Sequence, residues 1–153
     1  MFGIVIASHG TLSQGLIDSV DVIFGNTEGL AACVLKKGQA IEELGDDIAK
    51  AIQTVNQGDG VLILTDLLSA SPYNQSLMTI NGLEDSLKSK CHVLSGVNLP
   101  MLIEAVNQRL IGTSIEEAIE SIQTQATSGI SHWHISQLAE ETTFDEDGFD
   151  DDF

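Results

Sequence analysis

Positive charge is what this chain has least of. Only 6 of its 153 residues are lysine or arginine, against 23 aspartates and glutamates, for a formal net charge of −17. Such a surface repels a phosphodiester backbone and an anionic lipid face, which excludes nucleic-acid and direct membrane-surface binding as primary functions. Long apolar runs are also missing. Nothing approaches the ~20 residues of a membrane span. The apolar opening at residues 2–7 has no basic segment ahead of it, so it does not read as a secretory signal. Cysteine is scarce: Cys33 and Cys91 both fall in predicted strands and read as buried reduced thiols, which suits the cytoplasm. Aromatics make up 5% of the chain, and only Tyr73 and Trp133 offer a large polar-edged ring, which leaves little to stack a flavin. There is no Gly-x-x-x-x-Gly-Lys-[Ser/Thr] loop and no clear Gly-x-Gly-x-x-Gly after a strand, so no nucleotide-binding signature is present.

What is present is a length suited to one domain with a real core. The acidity is uneven. Residues 140–153 hold eight acids and no bases; without them 15 acids face 6 bases, for −9. Two domains of behaviour follow: a folded unit over 1–138 and an acidic tail over 139–153, predicted to be disordered or loosely attached.

Phe2-Gly3-Ile4-Val5-Ile6-Ala7-Ser8-His9-Gly10 organises the rest. An unbroken apolar run bounded by glycine and hydroxyl residues reads as a strand buried on both faces, here ending in a histidine. Apolar residues at 16, 17, 20, 23 and 24 then mark a helix, with Ser13 as its expected N-cap and Gly25-Asn26 as its stop. A short strand over 30–35 follows. Ile41, Leu44, Ile48, Ala51, Ile52 and Val55 mark a longer amphipathic helix. Residues 60–66 form a second buried strand, ending in Asp66. Residues 67–70 make a loop, and Ser71-Pro72 opens a helix that Asn81-Gly82 ends, Ser71 being the expected N-cap. A polar connection over 84–90 leads to a strand over 91–97. A helix starts at Pro100, and Ser114-x-x-Glu117 fits a capping box for another. Residues 129–135 read as a last short strand. No internal repeat is visible. Strands alternating with helices predict a mainly parallel sheet covered on both faces, a three-layer α/β/α sandwich.

In such folds the first and third strands commonly flank the switch point, and ligands bind at their carboxyl ends. His9 and Asp66 would meet there. A carboxylate bonded to one imidazole N–H fixes the tautomer and leaves the other nitrogen's lone pair as a nucleophile. The helix starting at Ser71 follows Asp66 by five residues, and its free N–H groups make an anion site. Each element alone is ordinary, since strand-end histidines are more often structural. The coincidence of all three at one edge points to a phosphoryl group carried on His9.

These residues bring the chain close to a known family. It resembles the IIA component of the mannose/fructose/sorbose family of the bacterial sugar phosphotransferase system (PTS), over residues 1–135. The resemblance rests on Ile4-Val5-Ile6-Ala7-Ser8-His9-Gly10, Gly60-Val61-Leu62-Ile63-Leu64-Thr65-Asp66, Ser71-Pro72-Tyr73-Asn74 and Gly96-Val97-Asn98-Leu99-Pro100-Met101-Leu102, in that order. It implies that His9 takes phosphate from the carrier HPr and passes it to a IIB component during sugar uptake. It implies that Asp66 orients His9 and that Ser71 lies near the phosphate. Gly10 and Leu67 complete the expected phosphate-binding positions. The resemblance also implies a cytoplasmic homodimer with an exchanged C-terminal strand, for which residues 129–135 are the candidate. The membrane would be met only through the sugar permease complex, and no cofactor is expected. The chain departs from the family pattern where two glycines usually precede Ser-Pro: it has Ser69-Ala70. After the aspartate, where a hydroxyl residue is usual, it has Leu67.

Two alternatives keep a phosphate site. One is a phosphoryl-donor subunit for dihydroxyacetone kinase, with the same chemistry and a different acceptor. The other is a non-enzymatic flavodoxin-like module holding a phosphate-bearing ligand at residues 8–13. Of the remaining histidines, His92 reads as a surface residue. His132 and His134 share one side of the predicted last strand but lack a third ligand for a metal, so a structural or interface role is expected.

Overall fold

The computed structural model describes residues 1–138. The acidic segment 139–153 lies outside the described residues. Elements run β1 (Gly3–His9), α1 (Leu12–Phe24), β2 (Leu30–Leu35), α2 (Ile41–Val55), β3 (Val61–Thr65), α3 (Ser71–Asn81), α4 (Asp85–Lys88), β4 (Cys91–Ser95), α5 (Leu99–Ile111) and α6 (Ile115–Ser128). The sheet order is β2-β1-β3-β4, and every pairing is parallel. β1 and β3 are therefore central neighbours, as the apolar runs predict, with Ala7 opposite Thr65 at the last paired rung.

Side chains alternate along a strand, so each central strand feeds two cores. Ile4, Ile6, Leu62 and Leu64 face one layer, where Val20 of α1, Leu102 and Val106 of α5, and Ile122 of α6 close the core. Val5, Ala7, Val61 and Ile63 face the other, packed by Leu44, Ile48 and Ile52 of α2. This is the expected three-layer sandwich. Full burial of one such aliphatic side chain stabilises the fold by roughly 1.5–3 kcal/mol.

Helix ends follow local chemistry, with three corrections of a residue or two. Ser13 is not the N-cap of α1. It sits inside the first turn, fully buried, and its N–H donates to Ser8 Oγ at 2.8 Å while its own hydroxyl donates to the Cys33 carbonyl. The hydroxyl that serves the helix start comes from the preceding strand, which helical periodicity does not reveal. In α3 the cap position is Ala70, with Ser71 the first helical residue and no side-chain cap present. Elsewhere the signals hold: Gly25 ends α1 in the left-handed conformation at φ 66, and Ser114 and Glu117 form the full capping box. α5 starts at Leu99, one residue ahead of the expected Pro100, and the Asn98 side chain caps it by accepting from the Met101 N–H.

Three further expectations change. Residues 84–90, read as a polar connection, contain the short helix α4. β4 stops at Ser95 because Gly96 turns the chain at φ +79. Residues 129–135 form no strand in this chain: 130–134 are irregular and exposed, with a turn of helix at 136–138. The physical reason is that, among the described residues, no neighbouring strand presents them a ladder and β4 pairs with β3 alone.

Candidate functional site

β1 and β3 end side by side, and each releases a polar residue at its carboxyl end. The His9 backbone N–H donates to Asp66 Oδ2 at 2.8 Å, and His9 Nδ1 lies 2.8 Å from the same oxygen. The other carboxylate oxygen, Oδ1, accepts the Leu67 N–H at 2.9 Å. An ionised carboxylate only accepts, so the proton of the neutral ring resides on Nδ1 and the lone pair on Nε2. The side chain of His9 is 44% exposed and that of Asp66 11%. The orienting group is thus sheltered while the ring faces solvent.

Burial of the Asp66 carboxyl works against its charge. The backbone N–H and ring of His9, with the Leu67 N–H, act the other way and hold the carboxyl below its usual range. The carboxylate is therefore held as an anion bonded to a directed imidazole.

The third component is the start of α3. Its first residues are Ser71, Pro72 and Tyr73. Asn74 N–H closes the first turn on the Ala70 carbonyl at 2.9 Å. The Ser71 and Tyr73 N–H groups precede that bond and belong to the orphan donors of a helix start. The other two expected phosphate positions differ. The Gly10 N–H donates to the Leu35 carbonyl at 3.0 Å, and the Leu67 N–H is taken by Asp66. Both backbone donors are engaged within the chain, and of the three positions Ser71 alone lies at a helix N-terminus.

Between Asp66 and α3 the loop contains Ser69 at φ 61, the one non-glycine residue with positive φ among the described residues. A left-handed serine carries an unfavourable conformational energy of about 1–2 kcal/mol that glycine avoids. Ala70 is ordinary extended backbone at φ −85, ψ 176. Of the two positions where glycines are usual, only the first uses glycine's freedom, and Ser69 adopts the glycine-like path there. Leu67 and Leu68 in this loop are 59% and 67% exposed, and Leu12 at the start of α1 is exposed as well. The site is an open edge with apolar residues beside it. A cavity of about 340 Å³, lined by Met1, Phe2, Asp59, Lys90, Ser114 and Glu116, belongs to the opposite, amino end of the sheet.

The remaining candidates stay apart from the site. His92 Nε2 lies 3.3 Å from Glu116 and is half-buried rather than a plain surface residue. His134 Nδ1 contacts Ser136 Oγ in the exposed stretch after α6. Among the described residues no histidine, cysteine or carboxylate group of three or more is placed to hold a metal. Cys33 and Cys91 are free thiols; burial, with Asp47 nearby, pushes Cys33 up to about 12. No described helix is long and apolar enough to cross a membrane.

The site is a parallel α/β sheet carrying a directed histidine at its carboxyl edge, and comparison with known proteins places that fold in a family. Residues 3–123 match the family described as "PTS system fructose IIA component". The chain is 31% identical over 109 residues to the fructose-specific EIIA component of Bacillus subtilis, covering 71% of each chain. It is 30% identical over 113 residues to the sorbose-specific EIIA component of Lacticaseibacillus casei, covering 72% of this chain and 77% of that one. Among solved structures it is similar to a phosphotransferase system component EIIA from Streptococcus agalactiae, at a TM-score of 0.76 and 28% identity, covering 86% and 97%. The chain belongs to the mannose-type IIA family of the sugar phosphotransferase system, a family of phosphotransferase components that serve sugar uptake.

Proposed function

We propose that His9 is the phospho-acceptor of this IIA component, receiving phosphate from phospho-HPr and donating it to a IIB component. The observation that carries this is the double hydrogen bond from His9 to Asp66 Oδ2, which leaves Nε2 free and outward. In the forward step the Nε2 lone pair attacks phosphorus and a new N–P bond forms. The N–P bond of the donor breaks, and its electron pair returns to the donor imidazole. The Nδ1 proton stays on the ring and faces Asp66, whose negative charge offsets the cationic character of the phosphorylated imidazole. Ser71, through its backbone N–H and hydroxyl at the start of α3, is placed to meet the phosphoryl oxygens. The reverse sequence delivers the group to the next carrier.

An open edge with exposed Leu12, Leu67 and Leu68 suits a protein donor and a protein acceptor better than an enclosed small substrate. A cytoplasmic homodimer fits the same picture. Among the described residues the outer edge of β4 is unpaired, and Ile130, Trp133 and Ile135 beyond α6 are exposed. Residues 129–135 of a second copy would cover that edge.

The test is phosphate transfer followed by intact mass. Protein is incubated with phosphoenolpyruvate, enzyme I and HPr, in wild-type and His9→Ala forms. One acid-labile phosphoryl group on wild type only is the expected result. A folded wild type that gains none, or a His9→Ala variant that gains one, overturns the assignment.

A further inference from the structure

The loop from Asp66 to α3 joins the two halves of the proposed site: the carboxylate that directs His9 and the helix start proposed to meet the phosphoryl group. Its path turns at Ser69, a residue with no intrinsic preference for the left-handed region it occupies at φ 61. Backbone in a sparsely populated region persists only where surrounding contacts impose it. One side chain supplies such a contact. Asn74 Nδ2 donates to the Ser69 carbonyl at 3.0 Å, across five residues, while the backbone N–H of Asn74 donates to the Ala70 carbonyl at 2.9 Å. Asn74 therefore holds two consecutive carbonyls of the loop from the first turn of α3. The turn bond within the loop, from the Ala70 N–H to the Leu67 carbonyl, is long at 3.4 Å.

We propose that Asn74 is a positioning residue: its side-chain amide holds Ser69 in the left-handed conformation, and so fixes the start of α3 relative to the His9–Asp66 pair. This rests on the phosphoryl-acceptor function proposed for His9. Asn74 is exposed on the solvent side of its turn and is not required to touch the phosphoryl group. Its effect reaches the reaction through Ser69 and the direction of the Ser71 N–H. A glycine at position 69 would take the same path at lower conformational cost and so with less dependence on the Asn74 bond.

That dependence gives a specific test with four variants: Asn74→Ala, Asn74→Asp, Ser69→Gly and the double variant Asn74→Ala/Ser69→Gly. Asn74→Asp keeps the size of the side chain and removes the donor. Phosphoryl transfer from phospho-HPr is measured for each by rapid quench, with kcat and KM separated, and folding is checked by circular dichroism. Asn74→Ala and Asn74→Asp are expected to lower kcat about tenfold with KM little changed, as for loss of alignment rather than of docking. Ser69→Gly stays near wild type, and the double variant recovers most of the kcat lost in Asn74→Ala. A merely structural role for Asn74 would not be rescued by a glycine five residues away.

Wild-type transfer in either Asn74 variant overturns the proposal, as does a double variant as slow as Asn74→Ala. A second measurement stands apart from catalysis. The intraresidue amide–Hα proximity of Ser69, read by NMR, reports positive φ in wild type and Asn74→Asp. It should be strong in wild type and weaken when the donor is removed. If wild type takes no phosphate but Ser69 still loses positive φ in Asn74→Asp, the acceptor assignment fails while the Asn74–Ser69 coupling holds. Unchanged Ser69 geometry in a folded Asn74→Asp protein ends the coupling itself.

Discussion

Asp66 Oδ2 accepts two hydrogen bonds from one residue, the backbone N–H and the Nδ1 of His9, both at 2.8 Å. The two bonds act together: the backbone bond sets where the carboxylate sits, and the ring bond then sets which nitrogen of the imidazole faces outward.

Replacing Asp66 with asparagine tests the ring bond. The amide keeps the shape but not the charge, so the tautomer is less well fixed and the phosphorylated ring loses its counter-charge. The fold should persist, and phosphoryl transfer should fall by about 10² or more, in the range usual for a lost acid–base partner. Rapid-quench kinetics with phospho-HPr is the measurement. Transfer at the wild-type rate would remove the orienting role from Asp66.

The same carboxylate predicts a pH dependence of stability. Its folded pKa is depressed, so its contribution is present above the unfolded value, about 3.9 for aspartate, and is lost as pH falls through the folded value. Wild type should therefore lose part of its advantage over Asp66→Asn as pH is lowered below about 4. Urea unfolding of both proteins at neutral and acid pH reads this directly. A difference that stays constant across that range would mean the carboxylate is not preferentially stabilised in the folded state.

Much of this was legible in advance, for physical reasons that differ by element. β1 and β3 are apolar on both faces because helices cover both sides of the sheet, and such runs are hard to mistake. Their terminal His9 and Asp66 stood out because each breaks its run. Ser114 caps its helix through its side chain, so its signal was readable. Ser13 and Ser71 misled because a serine near a helix start looks like a cap whether or not its hydroxyl is used; Ser8 serves the start of α1 from the preceding strand, and α3 starts after Ala70 with no side-chain cap. Residues 129–135 have strand-like composition but no partner strand in this chain, and pairing is not a property of one segment. Asn74 was visible only as part of a motif, because its bond to Ser69 depends on a backbone angle that no residue type announces.

Arg109 offers a test of the core. Its side chain is buried at 4% exposure, its Nε has no hydrogen-bond partner among the described residues, and its Nη1 donates to the Met1 sulfur at 3.9 Å. A buried guanidinium with an unpaired Nε does not contribute stability in proportion to its burial. Arg109→Met keeps the apolar stem and should leave stability unchanged or raise it by about 1–4 kcal/mol. Thermal unfolding decides this, and a marked loss would show that the guanidinium has stronger partners in solution.

Gly3 tests the close approach of β1 to the end of α2. A Cβ there would lie 2.5 Å from the Val55 carbonyl oxygen and 2.5 Å from its Cγ2. The backbone oxygen cannot rotate away, so Gly3→Ala should destabilise the domain by about 1–3 kcal/mol. Denaturant unfolding measures it. Unchanged stability would mean that β1 and α2 separate easily.

Removing residues 140–153 tests the acidic segment. Its eight acids account for nearly half of the net charge, while the packed side chains of both cores come from residues 2–126. The truncated protein should keep its unfolding midpoint and its phosphate uptake. Loss of either would give the segment a packing or docking role.

The bond between His9 and Asp66 spans 57 residues of chain. During synthesis the histidine emerges early, followed by α1, β2 and α2, and it has no carboxylate until β3 takes its place against β1. Until then β1 is the rim of a two-stranded ladder rather than its centre. On the function proposed for His9, competence to carry phosphate depends on the closure of the central pair of strands. An incomplete or nicked chain lacking that closure would display His9 without its orienting carboxylate.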